Sequence, residues 1–244
     1  MMINKVNKAQ TDFVKKVFSE VPTTYERINH VLTLGFDTIW RKKAAKIAAK
    51  TVAKTGGSHW VDMCTGTGET AAYLSRLAPE GTNISAVDLS PEMMLEARKK
   101  PEAKNINFII ADVNELPFPN ESIELITISF ATRNINLNKD ALLKSFSEFH
   151  RVLKPGGRFV NLETSQPPIG FIKMLFHLFI KLFVKQVGSR MSGSMSGYLY
   201  LSKTIPKFYT AHELVDILRQ AGFSDVTFKR LLFGVAAIHQ GTKL

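Results

Sequence analysis

The sequence is poor in cysteine, with Cys64 the single one among 244 residues. One cysteine excludes an internal disulfide framework and fits a reducing compartment. The histidines and this cysteine show no zinc-ligand spacing, so no metal site is expected. No apolar run reaches the roughly 18 residues that a membrane-spanning helix needs, and the N-terminal segment lacks the apolar core of a signal peptide. These absences predict a cytoplasmic protein that does not span a membrane.

Acidic residues are scarce relative to basic ones. Lysine and arginine number 32 against 21 acids, which gives a formal net charge of +11 at pH 7. Such a balance attracts polyanions, which include nucleic acid, an anionic membrane leaflet and a charged cofactor, and charge alone does not choose among them. The hydrophobic share of 45% is ample for a continuous core, which excludes a wholly disordered chain.

Short apolar runs alternate with helical patterns between residues 58 and 165, as in a parallel sheet with crossover helices. We predict strands at 59–63, 83–87, 107–110, 125–129 and 158–162, with helices at 69–78, 91–99 and 139–153. The sequence KPGG after the third helix is expected to stop it before the next strand. Downstream, a helix at 211–221 precedes two strand-like runs, 225–230 and 234–240, which predict an antiparallel hairpin at the sheet edge.

These patterns predict one α/β domain over residues 1–244, divided into four segments. The segments are an N-terminal helical cap (1–57), a cofactor-binding core (58–165), a hydrophobic helical insert (166–209) and a C-terminal helix and hairpin (210–244). Within the cap, residues 38–54 form a basic amphipathic helix pattern.

The stretch WVDMCTGTGE, residues 60–69, is a strand that runs into a glycine turn opening a helix. Gly66 and Gly68 allow close approach of the backbone to a ligand, and the helix start presents free N–H groups. The alternative is that these glycines only make a tight turn. Asp88 ends the next strand, 26 residues beyond Asp62, where an acid accepts hydrogen bonds from ribose hydroxyls.

The glycine loop differs from the three-glycine form that holds a dinucleotide pyrophosphate. It places acids, Asp62 and Glu69, where phosphate would lie, and acids suit a cationic nucleoside without phosphate. S-adenosylmethionine, with its sulfonium and ammonium groups, fits this description. Asp112 and Val113 follow the third strand, where they are expected to contact the adenine.

These residues resemble the menaquinone and ubiquinone C-methyltransferases, which methylate demethylmenaquinol or a polyprenyl benzoquinol. The resemblance runs through most of the chain and is carried by stretches such as 115–119 (ELPFP), 130–134 (FATRN), 151–157 (RVLKPGG), 162–167 (LETSQP) and 235–241 (VAAIHQG). The fourth and fifth of these are nearer the menaquinone branch.

The resemblance implies a class I Rossmann-like S-adenosylmethionine methyltransferase domain. Its sheet is mostly parallel and seven-stranded, with a C-terminal antiparallel hairpin and an N-terminal helical cap. Taken with the loop analysis, it predicts that the cofactor is bound by Asp62, Gly66, Thr67, Gly68, Asp88, Leu89, Asp112, Val113 and Ser129.

Methylation of a ring carbon needs a quinol whose hydroxyl has lost its proton, and positive charge favours that phenolate-like state. Arg133, expected at the mouth of the cleft after the fourth strand, is predicted to stabilise the phenolate or to orient a water that takes the proton. Asn134 and Tyr25 are predicted to hold this water or a quinol oxygen. The alternatives are a salt bridge for Arg133, a turn cap for Asn134 and core packing for Tyr25.

Residues 171–184, FIKMLFHLFIKLFV, are apolar except for Lys173, His177 and Lys181. A spacing of four places these polar groups on one helical stripe and leaves a broad apolar face. Such a helix is too short to span a bilayer. It is expected to lie in the plane of an anionic membrane or to cover a prenyl-bearing quinol, while packing on the sheet or on the second subunit of a homodimer is left open.

Two other functions are compatible with parts of the pattern. The first is methylation of RNA or another small metabolite, but aromatics interleaved with basic residues and an appended RNA module are both missing, so no nucleic-acid partner is predicted. The second is a noncatalytic membrane-associated protein with a degenerate cofactor fold. Cys64 and Thr65 favour it, because the family commonly has small or glycine residues at these two positions of the loop. The acids that follow the strands, together with Arg133 and Asn134, oppose it.

Overall fold

A computed structural model describes residues 30, 33–52, 58–184 and 202–244 of the chain. Seven strands in these ranges form one sheet: β1 (His59–Met63), β2 (Asn83–Asp88), β3 (Ile106–Ile110), β4 (Ile123–Ser129), β5 (Leu153–Thr164), β6 (Ser224–Leu231) and β7 (Ala236–Thr242). The α-helices are α1 (Phe36–Thr51), α2 (Glu69–Leu77), α3 (Pro91–Ala97), α4 (Thr132–Ile135), α5 (Lys139–Val152), α6 (Gly170–Phe179) and α7 (Ala211–Gln220).

The sheet has the strand order β3-β2-β1-β4-β5-β7-β6. Neighbouring strands from β3 to β5 are parallel, whereas β7 runs antiparallel to both β5 and β6. The predicted α/β fold, with a mostly parallel sheet and a C-terminal antiparallel hairpin, is therefore confirmed. His239, expected in an edge strand, lies instead in the inner strand β7, and β6 forms the edge.

The strand predicted at 158–162 begins earlier than expected, at Leu153. Because β4 extends back to Ile123, Leu153 has a pairing partner, and the register then shifts so that Leu125 faces Arg158. The residues between form a β-bulge, which inserts extra residues into one strand without ending the ladder. The KPGG sequence therefore lies within β5, where it was expected to separate a helix from a strand.

Helices cover both faces of the sheet, so the central strands are buried on both sides. On one face α5 and α7 share one apolar cluster with residues of β1 and β4, and Phe159 of β5 stacks on Phe223 with ring centroids 5.0 Å apart. On the other face α1 and α2 cover Trp60, Leu125 and Ile238. Side chains cap the N-termini of helices α3, α5 and α7. Ser90, for example, accepts a hydrogen bond from the Met93 N–H at the start of α3.

The hydrophobic segment predicted at 171–184 is helical, as α6 followed by a π-helical turn at Ile180–Val184. Within the described ranges, no helix is long and apolar enough to cross a bilayer. The division of the chain into cap, core, insert and C-terminal segment stays a prediction. Much of the cap and residues 185–201 of the insert lie outside the described residues.

Candidate functional site

A cleft opens where the parallel strands β1 to β4 end. The space inside the cleft and at its mouth amounts to about 1080 Å³, open solvent included. Eight of the predicted site residues line its wall: Gly66, Thr67, Asp88, Leu89, Asp112, Val113, Ser129 and Asn134. The carboxyl ends of parallel strands meet at one edge of a sheet, and this brings together residues far apart in the sequence.

The glycine loop that follows β1 has a left-handed backbone at three positions: Cys64 with φ 49°, Gly66 with φ 57° and Gly68 with φ 80°. Thr65 keeps a negative φ, so a β-branched residue is tolerated there. Its N–H donates to the Val87 carbonyl oxygen at 3.0 Å, which ties the loop to β2. The unusual Cys64 and Thr65 therefore fit the turn, with the strained conformation falling on Cys64.

Gly68 lies at the N-terminus of α2 and not in the wall of the cleft. A Cβ at this position would lie 2.9 Å from the Cβ of Ala97, so the glycine permits close packing of α2 against α3. Glu69, the first residue of α2, forms an ion pair with Lys100 at 2.6 Å. Neither residue is placed to contact a ligand in the way the sequence suggested.

Asp62 lies behind the glycine loop, with only 1% of its surface exposed. Its two carboxylate oxygens accept hydrogen bonds from the hydroxyls of Thr65 and Thr127, both at 2.6 Å. Burial raises the pKa of Asp62 to about 6, although these hydrogen bonds and the nearby Arg41 act in the opposite direction. The structure thus gives Asp62 a supporting position beneath the loop in place of the predicted direct contact.

Asp88 lines the cleft at the end of β2. Its Oδ2 accepts a hydrogen bond from the Gly66 N–H at 2.7 Å, and its Oδ1 accepts one from the Ser90 N–H at 2.9 Å. Burial raises the pKa of this carboxyl, and these backbone hydrogen bonds oppose the shift. Because a carboxylate oxygen has more than one lone pair, both oxygens can still accept from ribose hydroxyls.

Three residues of the wall carry a buried polar atom that has no hydrogen-bond partner among the described residues. The atoms are Nε of Arg41, the hydroxyl oxygen of Ser129 and the amide oxygen of Asn134. Buried polar groups are nearly always satisfied, so these atoms are suited to a ligand or an ordered water. Asp112 is exposed at the other end of the wall. Its Oδ1 accepts from the backbone and side chain of Asn114, both at 2.9 Å, and Val113 is buried beside it.

Arg133 was expected at the mouth of the cleft, and the structure instead buries it beside β5. Its Nη1 donates to Glu163 Oε1 at 3.4 Å and to Thr164 Oγ1 at 3.2 Å, while its backbone N–H donates to Glu163 Oε2 at 3.1 Å. The carboxylate of Glu163 is fully buried, and a buried charge requires such a partner. Of the predicted catalytic residues that the structure describes, Asn134 lines the cleft and Arg133 does not. Tyr25 lies outside the described residues.

Three residues of this region were given no role by the sequence analysis. Arg41 and Phe130 line the cleft, with the Arg41 guanidinium 5.1 Å from the Phe130 ring centroid. Glu163 holds Arg133. A signal for Arg41 does exist in the sequence, because it occupies the same helical stripe as Trp40, Ala44 and other buried residues.

Comparison with known proteins agrees with the cleft and the fold. The model of the ubiE/COQ5 methyltransferase family matches residues 4–243. A demethylmenaquinone methyltransferase of Thermus thermophilus is 35% identical over 229 residues, covering 93% of this chain and 100% of that protein. One of Staphylococcus aureus is 33% identical over 245 residues, covering 100% of this chain and 97% of that protein.

Similarity also extends to solved structures. A SAM-dependent methyltransferase of Thermotoga maritima superposes with a TM-score of 0.62 at 19% identity, covering 95% of this chain and 100% of that one. One of Aquifex aeolicus superposes with a TM-score of 0.58, covering 82% and 89%. At such low identity these structures establish the fold alone.

Proposed function

Because the chain belongs to the ubiE/COQ5 methyltransferase family, we propose that its methyl acceptor is a lipophilic quinol of quinone biosynthesis, with demethylmenaquinol as the first candidate. The chain is an S-adenosylmethionine-dependent methyltransferase. The choice of demethylmenaquinol is supported by the names of the two relatives described above and by the LETSQP and VAAIHQG stretches.

The observation that carries the proposal is the wall of the cleft. It combines acids at the ends of β2 and β3, a glycine loop at the end of β1 and two unpartnered polar atoms, counted within the described ranges, beyond β4. These groups fit S-adenosylmethionine, which presents ribose hydroxyls, an adenine amino group and a cationic sulfur but no phosphate. When bound, S-adenosylmethionine supplies a methyl group on that positively charged sulfur.

The predicted cofactor contacts that line the cleft have positions that suit their proposed parts. Asp88 accepts from the ribose hydroxyls through the lone pairs that Gly66 and Ser90 leave free. Asp112 accepts from the adenine amino group, and the buried Val113 packs on the ring. The backbone of the glycine loop and the Ser129 hydroxyl border the rest of the cofactor.

For the acceptor, Asn134 holds a quinol oxygen through its unpartnered amide oxygen, to which the quinol hydroxyl donates. Arg133 adjoins it on α4, where Glu163 and Thr164 occupy the two N–H groups of Nη1. The remaining N–H groups of the guanidinium are then available to orient a water that takes the quinol proton, leaving a nucleophilic ring. Tyr25 keeps its predicted part as a further hydrogen-bond donor to the quinol.

Helix α6 and the π-helical turn that continues it present an exposed apolar surface. Phe171, Met174, Leu175, Leu178 and Leu182 follow one another at helical spacing and are each at least 46% exposed. We call these five residues the apolar face of α6. The turn between β6 and β7, which carries the exposed Leu232 and Phe233, packs at Gly234 on Pro167 and Pro168, immediately before this helix.

We propose that this apolar face lies in the surface of an anionic membrane, which would make the enzyme peripheral. Lys173 and Lys181 are exposed on the same helix, where their charges can meet anionic headgroups while the apolar side chains insert. Membrane insertion at this helix would bring the cleft to the lipid phase that holds a polyprenyl quinol. A second copy of this chain is the alternative occupant of the apolar face.

The acceptor is identified by incubating the purified enzyme and S-adenosylmethionine with reduced demethylmenaquinone, and separately with a reduced polyprenyl benzoquinone. Mass spectrometry then measures the methylated product. We expect methylation of demethylmenaquinol to be the faster, and no reaction with the oxidised quinone, whose ring is not nucleophilic. If neither quinol is methylated while calorimetry detects S-adenosylmethionine binding, the proposed acceptor is wrong and the cofactor assignment stands.

A further inference from the structure

The guanidinium of Arg41 lies in the wall of the cleft, and no carboxylate among the described residues pairs with it. The residue is only 8% exposed, and its Nη1 donates a long hydrogen bond of 3.5 Å to Thr70 Oγ1. In the part of the chain that the structure describes, Nε has no hydrogen-bond partner and no acidic oxygen lies within ion-pair distance. The guanidinium carbon also lies over the Phe130 ring, 5.1 Å from its centroid.

A buried, permanently charged group in this state is costly, because desolvation is not compensated by a paired anion. Asp62 is close enough for the charge of Arg41 to oppose the rise of its pKa, but both of its oxygens already accept from threonine hydroxyls. The stacking with Phe130 compensates only in part. Arg41 therefore has unused hydrogen-bond donors and a charge that favours an anionic ligand.

The position of Arg41 along the sheet edge indicates which part of the cofactor it faces. Asp112 follows β3 and Asp88 follows β2, so the acids occupy one end of the cleft. Phe130, whose ring lies against the Arg41 guanidinium, follows β4 on the far side of β1. The strands β3 and β4 are three intervals apart, or about 14 Å, a distance that an extended nucleoside joined to an amino acid can span.

S-adenosylmethionine has one anionic group, the carboxylate of its methionine part, at the end opposite the adenine. A planar guanidinium matches a carboxylate with two parallel N–H donors, which is among the strongest polar contacts in proteins. We propose that Arg41 binds this carboxylate and thereby selects ligands that carry the complete amino acid. Arg41 would bind the cofactor in this way whichever quinol is the acceptor.

The test is a calorimetric comparison of S-adenosylmethionine, decarboxylated S-adenosylmethionine and 5′-methylthioadenosine, which lacks the whole amino acid. We expect the wild-type enzyme to bind S-adenosylmethionine about 10- to 100-fold more tightly than the decarboxylated form, as loss of hydrogen bonds to a charged group predicts. Equal affinities of the wild-type enzyme for these two ligands would overturn the proposal, and this comparison needs no variant.

The variant Arg41→Gln should lose the preference for the carboxylate and keep the wild-type affinity for the two ligands that lack it. Arg41→Lys, which retains the charge without the planar fork, should keep part of the preference. Arg98→Gln is the matched control. The Arg98 guanidinium also lies over a phenylalanine ring, 4.7 Å from the ring centroid of Phe108, but Arg98 does not line the cleft. An equal loss of affinity for all three ligands in Arg41→Gln would mean that Arg41 maintains the shape of the cleft, and would refute carboxylate binding.

Discussion

Asp88 is a single carboxylate that links the shape of the glycine loop to the recognition of the cofactor. Its oxygens hold the N–H groups of Gly66 and Ser90, so the residue orders the loop before any ligand arrives. We expect Asp88→Asn to weaken S-adenosylmethionine binding by about 1–3 kcal/mol. The amide nitrogen would replace one carboxylate oxygen, which accepts hydrogen bonds both from the loop backbone and from the ribose. Calorimetry measures this loss. Asp216→Asn, at an exposed position on α7, serves as the control, and an unchanged affinity in Asp88→Asn would remove the ribose role.

Arg133 and Glu163 form a buried ion pair next to the cleft, and we expect its geometry to affect turnover more than binding. Arg133→Lys replaces the guanidinium whose Nη1 donates to both Glu163 and Thr164 and whose other N–H groups would orient the water, so kcat should fall by about 100-fold. Glu163→Gln should lower kcat in the same way, because Glu163 positions Arg133 without reaching the substrate. Steady-state kinetics with demethylmenaquinol measures both.

The matched control for this pair is Arg151→Lys, since Arg151 is also paired with a glutamate, Glu148, at 2.6 Å, but lies away from the cleft. The dissociation constant of S-adenosylmethionine should stay at its wild-type value in Arg133→Lys and Glu163→Gln. If affinity and kcat decline together, the pair is structural and the proposed orientation of a water by Arg133 fails.

Sequence reasoning found the residues that end parallel strands and missed those that depend on packing between segments. Asp88, Asp112 and Ser129 could be located because the edge of a parallel sheet gathers strand ends by rule. The pairing of Arg133 with Glu163 joins residues 30 apart, through a strand register that periodicity does not specify. Because Arg133 pairs with the buried Glu163, it lies inside the protein and not at the cleft mouth where it was expected.

Helix α6 presents its residues differently from the pattern that its sequence suggested. His177, counted in the exposed polar stripe, turns toward the protein, where its Nε2 lies 2.7 Å from Gln166 Oε1. Phe176 is half-buried, whereas Leu175 and Leu178 are exposed. Helical spacing predicts which residues share a face, but the protein surface under the helix decides which face is covered.

For the membrane proposal, we expect Leu175→Ser with Leu178→Ser to reduce binding to anionic vesicles and to slow methylation of long-chain quinols. A short-chain soluble quinol should be methylated at the wild-type rate, because the cleft is unchanged. Binding of the wild-type enzyme should weaken with salt, since each lysine near the surface contributes about 1 kcal/mol that ions screen. Vesicle co-sedimentation and product analysis measure these effects.

The control double variant, Leu77→Ser with Leu95→Ser, removes two exposed leucines from α2 and α3. It should bind vesicles like the wild-type enzyme. Equal damage to long-chain and short-chain activity by the α6 variant, together with a loss of dimers in ultracentrifugation, would assign the apolar face to a second copy of the chain. Undiminished vesicle binding would remove the membrane from the function of α6.

At the scale of the whole molecule, two buried titratable groups make opposite contributions to the pH dependence of stability. Burial lowers the pKa of His239 to about 4 from its usual 6.5, with its Nε2 donating to the Ala211 carbonyl oxygen. Its contribution is present above pH 6.5 and is lost as the pH falls toward about 4. Burial raises the pKa of Asp62 to about 6 from 3.8, so its contribution is present below pH 3.8 and is lost as the pH rises through about 6.

Between about pH 4 and pH 6 these two effects offset each other, and single variants should separate them. Relative to the wild-type enzyme, His239→Gln should gain stability as the pH is lowered through this range, by about 3 kcal/mol, because only Asp62 then titrates. Asp62→Asn should show the opposite slope. Urea unfolding across the range gives both differences, and parallel curves for a variant and the wild-type enzyme would mean that the residue's pKa is unperturbed.

The parallel arrangement of β1 to β5 was predictable because short apolar runs alternate with helical segments, which serve as crossovers between parallel strands. The hairpin at 225–240 was recognisable from two apolar runs separated by a short turn. Its placement was only half predictable, since the sequence does not state which of the two strands pairs with β5. That choice depends on side chains of β5 and β7 that meet in register, such as Asn161 and His239.

The position of β7 has a consequence for how a nascent chain can fold. Although β7 follows β6 in the chain, it lies between β5 and β6, so β6 has no neighbour in the sheet until residues 236–242 have left the ribosome. Up to that moment the edge of β5 stays open, with apolar residues such as Phe159 and Leu162 along it. An open apolar edge can pair with another chain. Strand β7 therefore protects both β6, which precedes it in the chain, and β5, which closes the parallel half of the sheet.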